Sequence, residues 1–241
     1  GDRYSKYEHI FAKEYQVIVD RYHGKTTFFV TGKCVNSHPE FWRDFSKNLN
    51  VELGGHTYWA FRPRFMLKVN QKIFRSLYGG SLYKYLDIRK TIHSFSKINL
   101  RMKLWRTHTY LQSGAAYEIL RKHGVEIVSD RTRAKLEKIY ENGMIYIPIT
   151  ALNDDRILSI YCDRGNQIEM QYEWKRVSED IRGRIKRKED MVILLHPLIM
   201  KIYDDFKSFE LLIKQFSGND YHFVTMSELA EKATLNQTAD E

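Results

Sequence analysis

Histidine, arginine and aspartate side chains directly follow several apolar segments of this sequence. Imidazole and carboxylate groups in such places can transfer protons or bind a metal ion, and a guanidinium group can orient a carboxylate. Each residue alone also has a structural explanation, such as a hydrogen bond at the end of a strand. Together they suggest one shared cleft. The residues concerned are His56, Arg106, His108, Asp130 and His196.

The apolar segments before these residues have the length and composition of β-strands, and they alternate with segments of helical periodicity. This alternation favours one α/β domain with a parallel sheet, open or closed into a barrel. Because the carboxyl ends of parallel strands meet at one edge, we expect His56, Arg106 and His196 to surround one cleft there. The predicted parallel strands are 25–31, 51–55, 102–106, 125–129, 144–149 and 191–195.

Composition restricts the class of protein. The 241 residues are 43% hydrophobic and 14% aromatic, which excludes general disorder. A chain of this length could form one large or two small domains, and the alternation of segments favours a single domain over 1–241. No apolar run approaches the roughly 18 residues of a membrane-spanning helix. The given sequence opens with no secretory signal, so we expect a cytoplasmic protein. Cys34 and Cys162 are too few for a disulfide framework and are expected to be thiols.

The net charge of +9 is concentrated in one part of the chain. Residues 72–106 contain many lysines and arginines with interleaved aromatic side chains, and Asp87 is their only acidic residue. We predict a basic, mostly helical insertion at about 65–103, with 72–103 lying over the mouth of the cleft. Two explanations remain open for it, a solvated helical face and a surface for a glycan or another anionic partner. No recognised nucleic-acid motif accompanies the charge, so no specific nucleic-acid partner is expected.

Several segments, taken in order, resemble the polysaccharide deacetylases of the NodB-homology group, carbohydrate esterase family 4. They are KTTFFVTG, VELGGHTY, WRTHTY, YEILRKHGVEIVSD, MVILLHP and YHFVTMSEL. The resemblance covers nearly the whole chain apart from the predicted insertion, and it depends on order and spacing. It implies a distorted (β/α) barrel and metal-dependent hydrolysis of non-peptide C–N bonds, removing acetyl groups from N-acetyl amino sugars in a polysaccharide or other glycan.

In that family an aspartate and two histidines hold a divalent metal, commonly zinc. A second aspartate is the base, an arginine orients it, and a late histidine is the acid. By resemblance, His56 matches the first metal histidine, Arg106 the arginine and His196 the acid. Ala60 occupies the place of the second metal histidine, and His108 stands where the family usually has proline.

The Asp-Asp-Gly motif of the family's first strand does not appear in this sequence. Asp2, next to Gly1, is the remaining candidate for its metal aspartate. The expectation is therefore a barrel of this type that lacks its first strand. The predicted metal ligands are His56, His108 and Asp2, and zinc binding is expected to be weak or absent because Ala60 cannot coordinate.

Two function hypotheses follow from these departures. One is a metal-dependent deacetylase of amino sugars in a glycan, with His196 as acid and Arg106 as the orienting residue. The other is a catalytically silent deacetylase-like domain that binds a glycan or a protein partner. A weaker third hypothesis is an anionic-surface or nucleic-acid binder, which depends on the charge alone.

Overall fold

The structure is a computed structural model and describes residues 7–59, 81–107, 114–163, 165–216 and 221–237. In chain order its helices and strands are α1 (Glu8–Arg21), β1 (Thr26–Val30), α2 (Gly32–Ser37), α3 (Pro39–Phe45), β2 (Val51–Gly55), α4 (Ser81–Ser96), β3 (Leu104–Trp105), α5 (Gly114–Lys122), β4 (Ile127–Val128), β5 (Ile139–Glu141), β6 (Met144–Tyr146), α6 (Asp155–Cys162), α7 (Gln167–Lys186), α8 (Pro197–Asp204), α9 (Lys207–Lys214) and α10 (Met226–Gln237).

The strands form one sheet in the order β1-β2-β3-β4-β6-β5. Neighbours from β1 to β6 are parallel, and β5 is antiparallel to β6. The β-branched and aromatic residues of Thr26–Val30 explain why β1 is one of the longer strands. The predicted α/β class is confirmed, although β3 and β4 are shorter than their predicted ranges. In the described residues β1 and β5 are the two edges of the sheet.

The prediction of a strand at 191–195 is wrong with respect to sheet pairing. Within this segment, Val192 forms the backbone hydrogen bonds to the extended chain before it. Its carbonyl oxygen accepts from the N–H groups of Thr150 (3.1 Å) and Ala151 (3.2 Å). The side chains nevertheless alternate, since Leu194 packs inside the sheet layer and Ile193 packs against the helices. The apolar pattern therefore identified an extended segment buried on both faces, but no strand ladder lies beside it.

Helix α4 occupies much of the predicted basic insertion. It connects the adjacent parallel strands β2 and β3, which is the usual way of joining parallel neighbours. Ile88, Thr91 and Phe95 are buried on its inner face. Residues 81–96 are therefore part of the α/β layer structure, and residues 65–80 of the predicted insertion lie outside the described residues.

The apolar core surrounds the sheet on both sides. Helices α2 to α5 pack on β1 to β3 around Trp42 and Trp105, which are almost completely buried. Helices α1 and α6 to α9 form a second cluster around Ile181 and Phe209. Within the described ranges, none of the helices combines the length and apolarity that crossing a membrane would require.

Close packing between α2 and α4 depends on a glycine. A Cβ atom at Gly32 would lie 2.7 Å from Thr91 Cα and 2.7 Å from Tyr58 Cδ2. We expect Gly32→Ala to lower the free energy of unfolding by about 1–3 kcal/mol, because overpacking forces the backbone of α4 to move. Urea unfolding measures this effect. Gly114→Ala is the matched control, since nothing lies within 4 Å of its added Cβ, and equal stability of the two variants would contradict the prediction.

Candidate active site

Three predicted site residues lie at the carboxyl end of the sheet, where the parallel strands end. His56 directly follows β2, Arg106 directly follows β3, and His196 ends the extended segment 191–195. The His56 Nδ1 atom contacts the backbone carbonyl oxygen of Arg106. The charge of Arg106 also acts on the pKa of His196, so these two side chains are within electrostatic range of each other.

The contact with Arg106 fixes the orientation of the His56 ring. The backbone N–H of His56 donates to Val30 O at 3.0 Å, which continues the pairing of β2 with β1. A carbonyl oxygen can only accept, so Nδ1 carries the proton and the lone pair of the neutral ring is on Nε2. This is the arrangement by which proteins commonly orient a metal-binding histidine. Residues 56–59 form no helical turn.

The Arg106 guanidinium is held beneath the edge of the sheet. Its Nε donates to Ser129 O at 3.1 Å, and Nη2 donates to Ser129 Oγ at 2.8 Å. The guanidinium carbon lies 4.2 Å from the centre of the Phe29 ring. Arg106 is buried, so its charge raises the local electrostatic potential without projecting into solvent.

Asp130 follows β4 and is buried beside Arg106. Its carboxylate accepts hydrogen bonds from the backbone N–H of Thr107 and, at 2.7 Å, from Thr107 Oγ1. Burial raises the pKa of Asp130 to about 6, although the hydrogen bonds from Thr107 and the charge of Arg106 oppose this rise. Asp130 therefore changes its charge near neutral pH, unlike an ordinary aspartate.

The pKa of Asp130 gives a testable pH dependence of stability. Because the folded pKa lies above the usual value of 3.8, the contribution of this group is fully present below about pH 4 and is lost as the pH rises through 6. We expect the unfolding free energy of the wild type, measured relative to Asp130→Asn, to fall by up to about 3 kcal/mol between pH 4 and 7. Urea unfolding at several pH values tests this, and a difference that rises with pH would contradict it.

The strongest polar contact of the candidate site joins His196 to Asp154. Nδ1 of His196 lies 2.6 Å from Asp154 Oδ1, and its backbone N–H donates to Asp154 Oδ2 at 2.8 Å. The Asp154 side chain is completely buried, whereas that of His196 is 35% exposed. The pair therefore has one fixed, buried side and one nitrogen, Nε2, on the accessible side.

The pKa of His196 is raised by this pair. Burial alone would lower it, but the charge and hydrogen bond of Asp154 outweigh burial, and the charge of Asp155 acts in the same direction. His196 consequently stays protonated to a higher pH than an ordinary histidine. The stability that the ion pair contributes is fully present below the usual histidine pKa of 6.5 and is lost as the pH rises through the raised value.

Asp154, Asp155 and His196 are also a group that could hold a metal ion. One ligand atom from each residue lies within 4.8 Å of the others. Both Asp154 oxygens already contact His196, so Asp154 fits better as the carboxylate that orients the ring than as an ion ligand. His196 Nε2 and the Asp155 carboxylate, 3.9 Å apart, then remain as ligands from this group. Two ligands are fewer than the three protein ligands of most catalytic zinc sites.

The remaining predicted ligands cannot be placed in this geometry. Asp2 and His108 lie outside the described residues, as does Ala60. His56 is thus the one predicted ligand whose ring orientation is established.

Three carboxylates near His196, those of Asp154, Asp155 and Glu8, were missed by the sequence reasoning. Asp154 is separated from β6 by a loop, so a search for polar residues directly after strands does not find it. The pair of consecutive aspartates in "LNDDR" was the available signal. Glu8, at the start of α1, also interacts electrostatically with His196, and burial raises the pKa of Glu8.

A cavity lies beside Arg106, on the side of β1 and the segment 190–195. It has a volume of about 250 Å³ and runs between β1, the segment 190–195 and residues 221–226. Arg106 lines it, but His56 and His196 do not.

No protein-family model matches this sequence, and no curated protein has significant similarity to it. Solved structures do share the fold. A protein from Mycobacterium smegmatis described as a polysaccharide deacetylase has a TM-score of 0.71 and 15% identity, over 98% of this chain and 80% of that protein. The peptidoglycan deacetylase PdaC from Bacillus subtilis has a TM-score of 0.60 and 17% identity, over 95% of this chain and 87% of that protein.

A third similar structure is a carbohydrate esterase family 4 pseudoenzyme from Bacillus anthracis. Its TM-score is 0.55 and its identity is 16%, over 92% of this chain and 61% of that protein. The chain has the fold of the polysaccharide deacetylases, and the resemblance predicted from the sequence is confirmed at this level. The similar structures thus include proteins described as deacetylases and one described as a pseudoenzyme.

Proposed function

We propose that this protein is a hydrolase of the polysaccharide deacetylase type that removes acetyl groups from N-acetyl amino sugars of a glycan. The observation that carries the proposal is the pair formed by His196 and the buried Asp154. The buried carboxylate orients the accessible imidazole and favours its charged form, as a proton donor requires. The deacetylase fold supplies the substrate class.

The chemistry of amide hydrolysis explains the proposed role of His196. The departing amine nitrogen must receive a proton, or the acetyl group re-forms the amide. His196 presents Nε2 on its accessible side and donates that proton, while Asp154 holds Nδ1 and stabilises the imidazolium. The raised pKa of His196 keeps the acid protonated near neutral pH. Arg106 acts as a positioning residue whose charge favours anionic groups at this edge.

The fold implies a divalent metal, and zinc is the metal that we propose. His56 would hold it through Nε2, because Nδ1 is bound to the Arg106 carbonyl. His108 and Asp2 are the further ligands proposed from the resemblance, and Asp155 is the described carboxylate closest to His196 Nε2. When bound, such a metal lowers the pKa of a water molecule and polarises the amide carbonyl.

A second candidate function is a silent deacetylase-like domain that binds glycan. It is favoured by Ala60, which stands where the family has its second metal histidine. It is also favoured by the pseudoenzyme among the similar structures. In this case the Asp154–His196 pair would only stabilise the fold.

Acetate release distinguishes the two functions. The purified protein is incubated with chitotetraose, with added zinc in one series and with a chelator in another. We expect acetate in the zinc series, less after chelation, and little from His196→Gln. Binding of the oligosaccharide without acetate release in any series would support the silent domain and contradict the hydrolase.

A further inference from the structure

An exposed aromatic pair lies directly beside the candidate active site. Trp59 is 39% exposed, and its ring meets the half-buried Tyr58 ring edge to face at 5.1 Å. Both residues follow His56 in the loop after β2. Three residues of extended chain span at most about 10 Å, so Trp59 lies within the reach of a glycan bound at His56.

The loop that carries this pair is fixed by hydrogen bonds to two helices and by one hydrogen bond within the loop. Tyr58 N donates to Asp87 Oδ2 of α4 at 3.0 Å, and Tyr58 O accepts from Lys33 N of α2 at 3.2 Å. Thr57 Oγ1 donates to Trp59 O at 3.1 Å. The rings are therefore held in place before any ligand binds, which lowers the entropic cost of binding.

Two lysines place positive charge on these rings. Lys33 Nζ lies 4.7 Å from the centre of the Trp59 ring, and Lys90 Nζ lies 5.7 Å from the centre of the Tyr58 ring. Lys90 is exposed and forms no ion pair within the described part of the chain. The surface thus combines an apolar face with ammonium groups at its border.

We propose that Lys33, Tyr58, Trp59 and Lys90 form a subsite for a carboxylate-bearing sugar next to the N-acetylated sugar that reacts. The proposal builds on the proposed function, because it assigns the neighbouring position of the same glycan. The C–H face of a pyranose ring stacks on an indole ring, and a carboxylate pairs with ammonium groups. The net charge of +9 attracts such an acidic glycan over longer distances.

Calorimetric binding of two tetrasaccharides tests this subsite. One alternates N-acetylglucosamine with glucuronic acid, and the other is neutral chitotetraose. We expect the wild type to bind the acidic tetrasaccharide about tenfold more tightly at low salt. Trp59→Ala should weaken that binding about tenfold, and Trp59→Phe should weaken it less. The double variant Lys33→Gln/Lys90→Gln should remove most of the preference for the acidic ligand.

Matched variants exclude general effects of charge or exposure. Lys13→Gln/Lys186→Gln removes the same number of exposed charges, and Tyr172→Ala removes an exposed aromatic ring of α7. We expect both to bind like the wild type, and circular dichroism verifies that every variant is folded. The subsite is overturned if neither tetrasaccharide binds, if the acidic one binds no better than the neutral one, or if folded Trp59→Ala binds like the wild type.

The same measurements separate this subsite from the proposed hydrolysis. If binding of the acidic tetrasaccharide depends on Trp59, Lys33 and Lys90 but no acetate is released, the hydrolase proposal fails and the subsite stands. If acetate is released while all variants bind and turn over like the wild type, the hydrolase stands and the subsite fails.

Discussion

Replacing His196 with glutamine is expected to lower acetate release by about 10²–10⁴-fold, which is the usual contribution of a positioned acid or base. Glutamine has no proton to give at neutral pH, so the departing amine would need one from solvent. The effect is measured as kcat/KM for an N-acetylated oligosaccharide. His123→Gln is the control, because His123 is exposed at the end of α5 and should leave the rate unchanged.

The role of Asp154 is separated from that of His196 by the pH dependence. Asp154→Asn removes the charge that raises the pKa of His196, while the burial that lowers this pKa remains. The loss of activity at high pH should therefore begin at a lower pH in this variant than in the wild type. An unchanged pH profile, with His196→Gln inactive, would show that Asp154 only supports the fold.

Ala60→His is expected to strengthen zinc binding by at least about 100-fold, because it adds one strong ligand to an incomplete set. Competition with a chromophoric chelator measures the affinity directly, without any need for turnover. The unsubstituted protein should bind zinc weakly, so that its activity depends on added zinc.

His56 provides the control for zinc binding. The gain from Ala60→His should disappear in the double variant with His56→Ala, because His56 Nε2 is the partner ligand. If wild-type protein already holds one equivalent of zinc and His56→Ala leaves it unchanged, then His56 is not a ligand. In that case the outward pair of His196 and Asp155 becomes the candidate zinc site.

Local pattern accounts for the parts of the site that the sequence predicted. Thr26–Val30 is a strand because its residues are β-branched or aromatic. In Val51–Gly55 the alternation of buried Val51 and Leu53 with half-buried Glu52 is the strand signal. Parallel strands that end at the same edge bring the residues after them together, which placed His56 and Arg106 side by side. These predictions needed no knowledge of the loops.

The tertiary structure decided the features that depend on distant contacts. Asp154 and His196 are 42 residues apart, and only the path of α6 and α7 brings the carboxylate under the ring. The segment 191–195 has the composition of a buried strand, but pairing also requires a neighbour in register. Trp59 is held beside His56 by contacts from α2 and α4.

The sequence by itself therefore determined the α/β class, the deacetylase-like order of segments and the strand-end residues, because periodicity and residue type are local properties. The tertiary structure alone decided which carboxylate orients His196, which segment stays outside the sheet and which aromatic pair borders the site. The physical reason is that hydrogen bonds and ring contacts depend on atomic positions to within about 0.5 Å, and loop geometry fixes these positions only in the folded chain.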